Sequence, residues 1–208
     1  HKIISGLSKR CFVPLTVGGW IKNLNDIRQL LNEGADKISI NTEAVKNPKL
    51  IKTSSNTFGS QCIVVSIDVK KNKNNIHEVY IDRGRKNTGM DIVEWSKEVE
   101  ALGAGEILLT SIDNDGSLKG YDIDLLKKVS NVVSIPVIAF GGVGKWEHFV
   151  DGINLGNVNA VSAANIFHFT EHSTYRAKEF MKKSGLNVRL PSFYKLPSLR
   201  LPKYNEIF

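Results

Sequence analysis

Two cysteines, Cys11 and Cys62, are too few for a disulfide framework and stand at no metal-ligand spacing. Each opens an apolar, strand-like run, so both are read as buried free thiols of a reducing compartment, and a cytoplasmic location follows. No apolar stretch approaches the roughly 18–20 residues of a membrane span, and a soluble protein without membrane contact is expected. Proline is scarce: of six, three fall in the closing PSFYKLPSLRLPKYNEIF. That segment has no periodicity and reads as an irregular extension over 191–208, set apart from a domain over 1–190. The start carries neither an initiator Met nor a signal-peptide pattern. Ile3, Ile4 and Leu7 stand at helical spacing, so the chain is expected to begin inside a helix.

Charge excludes less. Lys and Arg total 28 against 21 Asp and Glu, yet the basic residues are scattered through KKNKNN, RGRK, LKK and MKK with no recognition motif beside them. That pattern suits a solvated surface or anionic small molecules, and no nucleic-acid partner is expected. His148 and His168 lack a second histidine or cysteine at ligand spacing. Both are read as structural, and neither a metal nor a cofactor is expected.

What is present is a regular alternation. Strand-like runs at 12–17, 37–40, 62–69, 106–111, 136–140 and 160–164 are each followed by a helix-like run. Asn25 is expected to cap the first of these helices and Gly34 to end it, and Asn47 with Pro48 to open the second. EVYID at 78–82 suits a small hairpin arm, and Trp95 belongs in the core of the helix that follows. Six β/α units in a row imply a parallel sheet with helical crossovers.

An internal repeat narrows the architecture. Gly18-Gly19 recurs as Gly141-Gly142, 123 residues on, and Asn41-Thr42 lands at the same offset on Ala164-Asn165. Strands one and two therefore correspond to strands five and six. SID at 66–68 and SID at 111–113 have no earlier counterpart. The simplest reading is an α/β fold, a (β/α)8 TIM barrel of duplicated halves with its first two strands absent; 208 residues also fall short of the roughly 250 of a complete barrel. The competing reading is a complete open sheet of six strands.

In parallel α/β folds ligands bind at the carboxyl ends of the strands. Small residues and free backbone N–H groups there can hold phosphate. The repeat places one such cluster in each half: Gly19, Asn41 and Thr42 in the first, and Gly116, Gly142, Ala164 and Asn165 in the second. Two phosphate sites across a barrel mouth suggest an elongated substrate phosphorylated at both ends. Asp68 ends an otherwise apolar run, where burial can raise its pKa into a useful acid/base range; the alternative is a cap for the next loop. Asp115 is expected to orient a loop or ligand. Cys62 starts its strand, away from that end, and is not expected to be a nucleophile.

VPLTVGG, GADKISINT, GSQCIVVSIDVKK, GAGEILLTSIDNDGS, GYDIDL, IPVIAFGG and NIFHF, in this order, resemble the cyclase subunit of imidazole glycerol phosphate synthase. The likeness spans residues 1 to about 190. It implies a (β/α)8 barrel, an enzyme of histidine biosynthesis (a lyase). Such a cyclase takes ammonia from a glutaminase subunit in a heterodimer and splits a bis-phosphorylated substrate, closing an imidazole ring. By the same resemblance Asp68 matches one of two catalytic aspartates, the other belonging to the absent strands together with a mobile lysine-bearing loop. Asn41 and Thr42 match one phosphate site; Asp115, Gly116, Gly142 and Ala164 match the other. At the opposite mouth Lys37 and Glu106 resemble an ammonia gate, and Asp36 a contact to the glutaminase.

Three departures border the phosphate clusters: Trp20 stands where a third glycine is usual, Phe140 where a small polar residue is common, and Asn165 where serine is usual. They favour an alternative, a similar barrel that delivers ammonia for amidation of a surface-polysaccharide sugar. A third possibility is a non-catalytic scaffold that docks a glutaminase. Because Trp20 corresponds to Val143, position 20 is expected to keep a negative φ, with its N–H facing phosphate and the indole narrowing the mouth.

Overall fold

The computed structural model describes residues 2–11, 13–168 and 173–189. Along the chain, α1 (Lys2–Ser8) leads to β1 (Thr16–Gly18), α2 (Leu24–Asn32), β2 (Lys37–Ile40), α3 (Thr42–Lys46) and α4 (Lys49–Phe58). Then come β3 (Ile63–Lys71), the hairpin β4 (His77–Ile81) and β5 (Lys86–Asp91), α5 (Ile92–Ala101), β6 (Glu106–Ser111) and α6 (Ile123–Ser130). β7 (Val137–Phe140), α7 (Glu147–Asn154), β8 (Ala160–Val161) and α8 (Thr174–Lys183) complete the order.

Six strands pair in parallel in the order β1-β2-β3-β6-β7-β8, and the hairpin attaches antiparallel to the last residues of β3. Among the described residues β1 and β8 each have one neighbour. This is a sheet curled into part of a (β/α)8 barrel. Ile38, Ile40, Ile63, Val65, Ile67, Ile107, Leu109, Val137 and Ala139 are buried on one face of it. That face packs with Ile27, Ile51, Trp95, Val99, Leu125 and Phe149 of the helices, and Trp95 is in the core as its sequence position predicts. Residues between them, Ser39, Ser66, Asp68, Thr110 and Phe140, remain half-buried on the other, concave face. Strand alternation thus separates a packed face from the face that can hold a ligand.

Several local expectations are corrected. Asn23, not Asn25, caps α2: its Oδ1 accepts from the Asn25 and Asp26 amides at 2.9 and 3.0 Å. Asp26 returns a bond from the Lys22 amide at 2.8 Å, so the turn is closed from both sides. α4 opens one residue later than expected, with Pro48 at the cap position, and the short α3 was not anticipated. β1 is shorter than its apolar run because Pro14 offers no N–H and the Leu15 amide is taken by Asp36 Oδ2 at 2.7 Å; Phe12 lies outside the described residues. β8 stops at Val161, three residues before Ala164. Among the described residues it has only β7 to pair with, and the Ser162 carbonyl is used by the Tyr121 hydroxyl at 2.9 Å.

β3 runs past Asp68 to Lys71, because the hairpin pairs with its last four residues. Asp68 therefore sits inside a strand rather than at its end. The cysteines are half-buried rather than buried: Cys62 closes a 3-10 turn ahead of β3, and Cys11 lines a surface cavity. No helix among the described residues is long and apolar enough to cross a membrane. The proline-rich 191–208 lies outside the described residues.

Candidate functional site

The carboxyl ends of β1, β2 and β3 surround a cleft of about 540 Å³. Its floor is the concave face. Asp68 on β3 is in register with Thr110 on β6, which is in register with Phe140 on β7. Asp68 hydrogen-bonds with the Asn41 and Thr110 side chains, and Asn41 Nδ2 also donates to Ser66 Oγ at 3.4 Å. Burial raises the Asp68 pKa, the two hydrogen bonds oppose it, and the negative charge of Asp115 adds to the rise. The net direction is upward.

The walls of the cleft are the strand-following loops. A Cβ at Gly18 would stand 3.0 Å from the Ser39 carbonyl oxygen and Cβ, so glycine there lets β1 lie close to β2. Gly19 turns the chain with φ 106° and leaves open space around its Cα. Trp20 follows with φ 60°, against the negative φ expected from Val143. A left-handed non-glycine costs about 1–2 kcal/mol. Here it carries the indole off the loop into solvent, 79% exposed, where the Arg83 guanidinium stacks 5.1 Å from the ring centroid. Thr42 Oγ1 accepts the Asp82 amide at 3.0 Å, tying the hairpin turn to the end of β2. Lys22 and Lys46 also line the cleft.

The second cluster is built differently. Gly142 has φ 99°, its carbonyl accepts the Gly120 amide at 2.7 Å, and an added Cβ would meet the Gly120 carbonyl oxygen at 2.1 Å. Asp115 packs beside Gly141, and Gly116, also left-handed, faces open space. Ala164 and Asn165 are exposed beyond β8, where Asn165 opens a 3-10 turn. The five residues thus lie along neighbouring loops on the same side as the first cleft. The 114–120 loop fills the space around Gly142, whereas the corresponding space at Gly19 is empty. His148 fits its structural reading: it is buried, and its Nδ1 accepts the Gly144 amide at 3.1 Å. Burial first, and then Lys145, lower its pKa.

At the other end of the strands Lys37 and Glu106 form a half-buried ion pair that reaches across β3. Asp36 is exposed beside the 510 Å³ cavity that Cys11 lines.

Sequence reasoning missed Arg83, Thr110, Ser66, Lys22 and Lys46. Arg83 had a signal, since Asp-Arg-Gly between two strand-like runs is hairpin-turn chemistry. Thr110 and Ser66 could be found only through strand register. It also missed a polar knot joining the hairpin to α6. Buried His77 meets Asp122 Oδ2 at 3.1 Å, Lys71 reaches the same oxygen at 3.0 Å, and Lys128 sits 2.9 Å from Asp124. His77, Asp122 and Asp124 could jointly offer metal ligands, but the two lysines already balance the carboxylates. Burial works to raise Asp122, yet bonds from His77, the Leu125 amide and Lys71 outweigh it and hold the carboxyl well below its ordinary range.

The family model described as Histidine biosynthesis protein matches residues 1–173. The chain is 51% identical over 199 residues, 96% of this chain and 73% of the relative, to a protein of Vibrio vulnificus (strain YJ016). That relative is named "Putative imidazole glycerol phosphate synthase subunit hisF2".

Proposed function

Because this chain belongs to the histidine biosynthesis protein family, we propose that it is the cyclase barrel of an imidazole glycerol phosphate synthase, an ammonia-dependent lyase. It forms imidazole glycerol phosphate and aminoimidazole carboxamide ribotide from a bis-phosphorylated ribulosyl-formimino substrate. The observation that carries this reading is Asp68, a carboxyl on the floor of an open cleft, pushed upward by burial and within hydrogen-bond reach of Asn41 and Thr110. Such a group suits proton transfer to and from a closing ring. Gly19, Trp20, Asn41 and Thr42 take one phosphate; Asp115, Gly116, Gly142, Ala164 and Asn165 take the other. Ammonia enters from a glutaminase subunit docked near Asp36, past Lys37 and Glu106, along a path that keeps it from water.

The barrel completed to eight strands and supplied with ammonium salt in place of the glutaminase is expected to turn over the bis-phosphorylated substrate, and its gene to rescue a histidine auxotroph. A second reading draws on one observation: the left-handed Trp20, with Arg83 stacked upon it, lines the first cleft. In that reading the barrel passes ammonia to the amidation of a surface-polysaccharide sugar. Failure of both turnover and rescue, with glutaminase stimulation retained, favours it.

A further inference from the structure

The hairpin turn Asp82-Arg83-Gly84 has three consecutive left-handed residues, with φ 54°, 61° and 73°. Two contacts fix it over the first cleft: the Asp82 amide on Thr42 Oγ1, and the Arg83 guanidinium on the Trp20 ring. Asp82 itself pairs with Arg85 at 3.8 Å. Among the described residues no carboxylate lies within ion-pair distance of Arg83. Its charge is therefore uncommitted except to an aromatic face, a weak hold at an exposed site. The indole in turn accepts a strained backbone and 79% exposure without joining the core. Both peculiarities have one explanation if the ring is a platform for the cation.

We infer that Arg83 is a specificity-determining residue of the first cleft, held by Trp20 at the mouth so that its guanidinium binds the phosphate monoester end of the ligand. The inference rests on the reading of this cleft as a phosphate site. Backbone N–H groups of the glycine loop offer only partial charges. Thr42 Oγ1 already accepts one bond and keeps its own O–H to donate. Arg83 adds a full charge and a planar fork of donors that matches two phosphate oxygens. The cleft then discriminates a phosphorylated end from a neutral hydroxyl end of the same shape.

The test is titration of the full chain with glycerol 3-phosphate, and with glycerol as the neutral control. It is followed by the part of the tryptophan emission that disappears in Trp20→Phe, so that only the first cleft is reported. Wild type is expected to bind the phosphate and not glycerol, Arg83→Gln to bind it at least tenfold more weakly, and Arg83→Lys to fall between. Arg83 is on an exposed turn, and an unchanged thermal midpoint in Arg83→Gln checks that the fold is kept. Affinity within twofold of wild type in Arg83→Gln overturns the inference while leaving the cyclase reading to its turnover assay. Absence of any Trp20 response in wild type overturns this inference together with the phosphate reading of the cleft.

Discussion

The two glycine pairs, identical in sequence and 123 residues apart, do different work. At the first, Gly18 clears a path for the neighbouring strand, Gly19 alone of the pair is left-handed, and a left-handed Trp20 follows; beyond them is open space. At the second, Gly141 and Gly142 are both left-handed, Val143 is not, and the Gly120 backbone presses against Gly142. The strand ends differ too: Asn41 directly follows β2, whereas β8 has ended three residues before Ala164. A repeat preserves where glycine must stand while the surrounding loops decide whether it serves space, turning or packing.

The largest effect separating the halves is chemical. Asp68, in the open half, is the proposed acid/base, so Asp68→Asn is expected to lower turnover at least about 100-fold, the lower end of what a positioned acid or base contributes. The same change should raise stability at neutral pH. An acid whose folded pKa lies above its unfolded value contributes most at low pH, and that contribution is lost as pH rises toward the folded pKa. Loss of turnover with a higher thermal midpoint would be the combined signature; unchanged turnover removes Asp68 from the mechanism.

Next comes packing. Gly142→Ala adds a methyl 2.1 Å from a backbone oxygen at a left-handed position, and a loss of about 3 kcal/mol or more is expected from clash and strain together. Gly19→Ala meets nothing within 4 Å and should lose only the strain, about 1–2 kcal/mol. Urea unfolding midpoints of the two variants measure the contrast directly, and equal losses would erase it.

The smallest stability effect is expected at Trp20. Trp20→Gly relieves left-handed strain but forfeits the arginine stack and gives the unfolded chain more freedom, terms of about 1 kcal/mol each that nearly cancel. Stability within about 1 kcal/mol of wild type, with altered affinity for the phosphorylated substrate, is the expected result. Unchanged affinity would mean that the indole does not shape the mouth.

Much of this molecule was legible in its sequence because the information is periodic. CIVVSIDV reads as a buried strand, EVYID as an arm, and the repeated glycine pair, with Asn41-Thr42 falling on Ala164-Asn165 at the same offset, points to both loop clusters. What was not legible depends on partners distant in the chain. Asp68 lies within β3 because a hairpin pairs beyond it, β1 is short because Asp36 takes the Leu15 amide, and Thr110 joins Asp68 through strand register. Trp20 is left-handed although Val143, its counterpart in the repeat, is not, so the repeat carries no information on φ at this position. The stacking arginine that accompanies the left-handed backbone comes from a turn 63 residues away.

The most direct test is the titration of the Asp68 carboxyl itself, followed by carbon NMR in labelled protein and assigned through Asp68→Asn. Its midpoint should lie above the ordinary 3.8 and move down in Asp115→Asn, when the neighbouring negative charge is removed. A midpoint at or below 3.8, unmoved by Asp115→Asn, would contradict the account of the cleft as the place where this barrel moves protons.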